Sequence, residues 1–274
     1  MSTTRIKTVL LLAAAFAAAG GCTVKEDRRP CPCFLDLDYR EMLAEDLLSG
    51  EPGNVETAVF QPGLACSSSY TTENCPQIEE HETERSQVRV VGVLSSRKLY
   101  DFPSKGTLVT YEAGNEIDSV YVHVSDIDCS GEDASCVLRP SKQFSTLFLT
   151  DEEGGGMLRS YNMVVKGNTC GFDAFSLEAV SGDYLYTVQE FDRDGRISVR
   201  IPRQADNGLV LEFYDKESYR HLFSAPLGQY LFDAGYDPGA GELLDYSFRI
   251  NFEQTLVYLR IAAWDEEFIY KLFK

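Results

Sequence analysis

What most constrains this chain is a succession of short period-two runs broken by turn chemistry. Phe34-Leu-Asp-Leu-Asp-Tyr39 alternates apolar with acidic residues, so Leu35, Leu37 and Tyr39 share one face of a strand. Ser119–Ser125 places Val120, Val122 and Val124 on one side. Similar runs fall at Val88–Leu94, Thr107–Tyr111, Phe144–Thr150, Asn162–Lys166 and Phe175–Val180. Further runs lie at Tyr184–Gln189, Ile197–Ile201, Leu209–Tyr214, Tyr246–Phe252, Leu256–Ile261 and Phe268–Phe273. Asp192-Arg-Asp-Gly195 and Asp206-Asn-Gly208 are strand-to-strand turns. Only Glu41–Leu48 and Gly228–Ala234 read as helical, and both are short. The pattern predicts an all-β protein of sandwich domains rather than an α/β fold.

The first residues carry a different message. Arg5 and Lys7 precede an apolar run, Thr8–Ala19, that ends in Gly20-Gly21-Cys22. A membrane span needs roughly 20 apolar residues. This shorter run, basic in front and small-residued behind, predicts a signal peptide over residues 1–21. A cysteine directly after the small residues resembles a lipobox, although Ala19 stands where lipoboxes more often carry Leu. Acylation of Cys22 would anchor the chain stably, because two or more acyl chains hold a membrane where one binds reversibly. Residues 22–33 read as a charged tether without apolar period. Within it, Lys25-Glu26-Asp27 resembles the surface-export signal of Bacteroidetes lipoproteins. Any charged linker could also contain such a tripeptide, so both readings stand.

Charge narrows the function. Loss of Arg5 and Lys7 with the signal takes the net charge from −18 to about −20. No basic excess remains to displace counterions, which excludes nucleic-acid binding by phosphate neutralisation. An anionic lipid surface is disfavoured on the same ground. The 44% hydrophobic content nevertheless suffices for packed cores. Three glycines, Gly154–Gly156, suggest a hinge between an N-terminal sandwich at 34–150 and a C-terminal one at 151–274. The tip of a long hairpin is the alternative.

Export would place seven cysteines besides Cys22 in an oxidising compartment. Cys66 and Cys75 bracket one polar stretch, and Cys129 and Cys136 another. Each pair reads as a local disulfide closing a surface loop and contributing at most roughly 2–3 kcal/mol. Of Cys31, Cys33 and Cys170, at least one stays unpaired or bonds another molecule. A bridge from Cys31 or Cys33 to Cys170 is favoured over a strained bond between near neighbours.

Reactive constellations are absent from the sequence. There is no Gly-x-Ser-x-Gly elbow, phosphate loop or His-Glu-x-x-His. His81, His123 and His221 are too dispersed for a zinc site. Asp126–Gly131 mimics the start of a calcium loop, but Val137 stands where the bidentate glutamate belongs. Asp183, Asp192 and Asp194 occupy turn contexts rather than a paired-carboxylate site. His123, opposite three valines, reads as exposed, and Trp264 as a strand-end plug. Neither an enzyme nor a cofactor or metal is expected.

Taken in order along the chain, several segments resemble the FimB-type anchor subunits of Bacteroidales type V fimbriae. They are Cys22 with its tether, Cys31-Pro32-Cys33 running into Phe34–Tyr39, and Arg196–Asp215. Phe223–Tyr230, Ile250-Asn-Phe252 and the Trp264 segment follow. The resemblance implies two transthyretin-like β-sandwich domains in an outer-membrane lipoprotein. Such a protein sits at the base of a fimbrial fibre, anchors it and limits its length, its partners being a fimbrial stalk subunit and membrane lipid. Stalk subunits of such fibres join by strand exchange. The apolar C-terminal segment, with Phe268, Ile269, Tyr270, Leu272 and Phe273, is the candidate subunit contact, a plain last strand being the alternative. Two rivals are a stalk or tip subunit, and an adhesin or glycan-binding lipoprotein using loop aromatics such as Tyr70 on a host or bacterial surface ligand.

Overall fold

The computed structural model describes residues 31–271 apart from 49, 100, 101, 103–105, 153–156, 189, 190, 192–195 and 262–266. The described residues are almost wholly β. In chain order come β1 (Cys33–Asp38), β2 (Asn54–Gln61), β3 (Leu64–Thr71), β4 (Ile78–Thr83), β5 (Gln87–Ser95), β6 (Leu108–Thr110), β7 (Val120–Asp128), β8 (Asp133–Val137) and β9 (Ser141–Lys142). Then follow β10 (Phe144–Asp151), β11 (Tyr161–Asp173), β12 (Ala179–Thr187), β13 (Ile197–Pro202), β14 (Val210–Asp215), β15 (His221–Ala225), helix α1 (Leu227–Asp233), β16 (Tyr246–Asn251), β17 (Leu256–Ile261) and β18 (Glu267–Lys271). Glu41–Leu48, expected as a helix, closes into successive turns instead. Its Met42 and Leu48 are drawn into the core between sheets A and B.

Four sheets result: sheet A is β4-β1-β8, sheet B is β3-β2-β5-β7-β9, sheet C is β12-β11-β14-β15 with β6 added on β11, and sheet D is β13-β10-β16-β17-β18. Alternation along β1 sends Leu35 and Leu37 into the first core, where they meet Val55, Val59, Val88, Val90 and Leu94 of sheet B. Gly92 of sheet B has no side chain because none fits: a Cβ there would lie 2.6 Å from Leu138 and 3.2 Å from Met42. The second core joins Met163, Val165, Leu211 and Phe213 of sheet C to Leu147, Val199, Phe248 and Leu259 of sheet D. Tyr161, Phe213, Phe223 and Phe252 close one end of it, with Phe213 stacked on Phe223 at 4.4 Å.

The opposite face of sheet B is buried as well. Ala58, Val91, Val93, Val120 and Val122 pack against Val109 of β6 and against Phe172 and Ala174 at the end of β11. Phe175 caps this third core, edge-on to Phe60 at 5.3 Å and beneath the Arg89 guanidinium at 4.5 Å. Strand β6 leaves the first half of the chain to pair with β11, through Thr110↔Gly171 and Val109↔Phe172. Gly171 makes that approach feasible, since a Cβ on it would sit 2.1 Å from the Val109 carbonyl oxygen.

This architecture revises three expectations. The boundary at residue 150 falls inside sheet D, because β10 pairs with both β13 and β16. The switch between halves comes before it, at Gln143. There the fully buried Arg203 donates 2.6 Å hydrogen bonds to Gln143 Oε1 and the Pro238 carbonyl. The polar stretches around Cys66 and Cys136 are strands β3 and β8 rather than loops, since β2 and β1 offer them backbone partners. His123 is buried, not exposed, because its face of β7 looks into the A/B core while the three valines look toward the second half.

Candidate functional site

Cys22, Lys25, Glu26 and Asp27 lie outside the described residues, as do Gly154–Gly156, Asp192, Asp194, Trp264, Leu272 and Phe273. The structure does place the start of the body: Cys33 opens β1, in the middle of sheet A between antiparallel β4 and parallel β8. Whatever precedes residue 31 therefore enters the molecule at a strand held on both sides.

The candidate contact segment is β18, the outermost strand of sheet D, paired only with β17 among the described strands. Phe268 and Tyr270 turn inward onto the second core. Tyr270 stacks on Tyr230 of α1 at 4.2 Å and 17°, and the Tyr230 hydroxyl donates to the Lys271 carbonyl at 2.8 Å. Ile269 points the other way and is 61% exposed. Among the described strands the segment is thus an edge of sheet D, with Ile269 facing solvent. On the outer face of the same sheet, Phe148, Thr150, Ser198 and Ser247 line a shallow cleft of about 620 Å³. Its half-exposed Phe148 is one of the few large apolar side chains left open to solvent.

The structure holds the seven described cysteines as thiols and gives them distinct surroundings. Cys136 Sγ lies 3.4 Å from His123 Nε2 and 3.4 Å from Ser125 Oγ, while the Cys129 thiol contacts Cys33 and Thr83. Cys129 and Cys136 part because β8 runs parallel to β1, carrying Cys136 to the level of Leu37 while Cys129 stays near the start of β1. Cys170 rests against the carbonyls of Val180 and Ser181 on β12.

The cluster of Cys136, His123 and Ser125 has the residue types of a nucleophile with its base, but not the protonation. The Arg139 backbone N–H donates to His123 Nδ1 at 3.0 Å, which leaves the ring proton on Nε2, donated to Ser125 Oγ at 2.8 Å. An imidazole so held cannot take the thiol's proton. Burial also pushes the Cys136 thiol up and the His123 imidazole down. The arrangement is structural.

Glu79, which sequence reasoning passed over, gathers hydroxyl donors from three other residues. Its Oε1 accepts from Ser68 at 2.7 Å and Tyr70 at 2.8 Å, and its Oε2 from Tyr39 at 2.9 Å. Burial opposes its charge, but the three hydroxyls and neighbouring His81 hold the carboxyl below its ordinary value. Tyr70 is thus a part-buried ring, edge-on to Tyr39 at 6.4 Å with its hydroxyl engaged by Glu79. No group of three or more His, Cys, Asp or Glu among the described residues is arranged to hold a metal ion. No described helix is long and apolar enough to cross a membrane.

No family model and no curated protein matches the sequence. Solved structures do match the fold. The Mfa2 fimbrial anchor protein of Porphyromonas gingivalis superposes with a TM-score of 0.55 at 9% identity, over 85% of this chain and 98% of that one. A Bacteroides thetaiotaomicron protein provisionally described as polysaccharide-binding gives 0.59 at 12% identity, over 87% and 98%. A provisionally named adhesin of the same organism gives 0.55 at 13%, over 89% and 99%. At these identities the likeness shows what the chain shares with them, an all-β fold of sandwich domains running through nearly the whole of each protein.

Proposed function

We propose that this chain is the anchor subunit of a fimbrial fibre, held to the outer membrane by lipid on Cys22 and joined through its C-terminal sandwich to a stalk subunit. The reading rests on one conjunction: a lipobox-like cysteine eleven residues ahead of β1, on a chain that shares its fold with a fimbrial anchor protein over 85% of its length. The body suits the task. A third core packs the two halves together, and the edge strand β18 can pair with a strand from a neighbour. In such an assembly the subunit sets where a fibre starts and limits its length. Lys25-Glu26-Asp27 would direct it to the outer leaflet.

An adhesin is the second reading, favoured by the neighbours described as adhesive or polysaccharide-binding. It loses Tyr70 as a contact, since Glu79 engages that hydroxyl. Replacing Cys22 with Ala separates the two. An anchor so altered appears in the medium together with its fibre, seen by microscopy of sheared and unsheared cells. Fibres that stay attached to cells overturn the anchor reading.

A further inference from the structure

We infer that Cys33 and Cys129 form a disulfide in the exported protein, a bond that staples the first residue of β1 to the end of β7. Both side chains are fully buried, in the same core between sheets A and B. Their thiols are in contact, and Thr83 packs beside them with its hydroxyl donating to the Cys33 carbonyl at 3.4 Å. The backbone holds the two cysteines in place independently of any bond. Cys33 is fixed by its register with Thr83 on β4, and the Cys129 N–H donates to the Ser86 carbonyl at 3.0 Å. Thr83 and Ser86 flank one tight connection between β4 and β5, so the cysteines meet where that connection closes the sandwich. Two other described cysteines have different surroundings: Cys136 is held by His123 and Ser125, and Cys170 lies in sheet C.

The chemistry is thiol–disulfide exchange with an external disulfide as oxidant. One cysteine thiolate attacks that disulfide and expels a thiolate, and the second cysteine then displaces the mixed disulfide. The protein loses two protons and two electrons, and the oxidant leaves as two thiols. Burial raises the Cys129 thiol above its ordinary value, so the finished fold resists the first attack. Oxidation therefore belongs to the interval before sheet A seats on sheet B. Under the anchor reading alone, the bond also has a mechanical consequence. Pull on the tether arrives at Cys33, and the bond passes it to β7 of the five-stranded sheet B without loading the three-stranded sheet A.

The test is peptide mapping of the full-length protein purified from its own envelope, alkylated under denaturing, non-reducing conditions. The expected product is one species joining the Cys33 and Cys129 peptides, lighter by two hydrogens than their sum and resolved by reduction. Reduction, or Cys129→Ala, should lower the melting midpoint by roughly 5–15 °C, since the bond closes a long loop. Complete alkylation of both cysteines, or recovery of Cys129 joined to Cys136, overturns the inference. The map does not depend on fibre attachment, so failure of the anchor reading and failure of this bond are separately visible.

Discussion

The two faces of sheet B have been covered by different parts of the chain, and the contrast explains how the molecule is joined. One face meets sheet A, a partner from its own half, through Leu35, Leu37 and Leu138. That core also takes in polar groups: Glu79 with its three hydroxyl donors, buried His123, and the Cys33 and Cys129 thiols. The other face meets the end of β11 and strand β6 through smaller, almost purely apolar surfaces, with Glu56 the one buried acid among them. A sheet buried on one side would have left the halves to swing on a linker. Burial on both sides, with β6 exchanged into sheet C, makes them one body.

The largest test of that contrast removes the apolar plug of the second face. Phe172 is fully buried, and Phe172→Ala should cost about 3–5 kcal/mol. Its particular signature is expected in calorimetry, where the single unfolding transition should divide into two as the halves uncouple. Leu37→Ala, of comparable burial on the first face, should cost about 2–5 kcal/mol without dividing it. If Phe172→Ala merely lowers one sharp transition, the third core is not what couples the halves.

A smaller and more pointed test uses pH, because each face carries one acid and the two are shifted in opposite directions. Burial raises the Glu56 carboxyl, with only the Ser69 hydroxyl at 3.1 Å and the charge of Lys98 working against it. Its charged form therefore costs stability at neutral pH, and the cost is relieved as pH falls through its raised folded value. Glu79 is lowered by its hydroxyls, so its contribution is present above the unfolded value and lost as pH falls through the folded one. Glu56→Gln should accordingly raise the urea midpoint at pH 7, and Glu79→Gln should lower it. Both differences should shrink on acidification. Shifts of the same sign in the two variants would show that the faces are electrostatically alike.

How much of this was legible beforehand follows from the same contrast. Strands with an apolar period, such as β1, β7, β10, β13 and β17, could be read directly, because alternation records one buried face. Strands β3 and β4 could not. Their inward residues, Cys66, Ser68 and Tyr70 on one and Glu79 and His81 on the other, are mostly polar, and their pairing is supplied by neighbours. The double burial of sheet B did leave a trace in Val90-Val-Gly-Val-Leu94, a continuous apolar run where alternation would mark a solvated face. The valine-rich opposite face of β7 makes His123 read as exposed, but sheet B is buried on both faces. At the candidate contact, alternation indicated a last strand, but the outward direction of Ile269 and the open edge required the sheet order.

The smallest expected change in stability carries the most about function. Ile269 projects from β18 into solvent, opposite the Phe268 and Tyr270 side chains that secure the strand. Ile269→Asp should therefore alter stability by no more than about 0.5 kcal/mol, the usual range for an exposed site. Phe268→Ala, by contrast, strips an inward anchor and should loosen the strand itself. If the edge is where a stalk subunit pairs, Ile269→Asp should leave the melting curve in place while releasing fibres from cells. The charge would have to be buried against the incoming strand without a partner. Retained fibres with an unchanged melting curve would move the subunit contact away from β18, leaving the cleft beside Phe148 on the outer face of the same sheet as the next surface to alter.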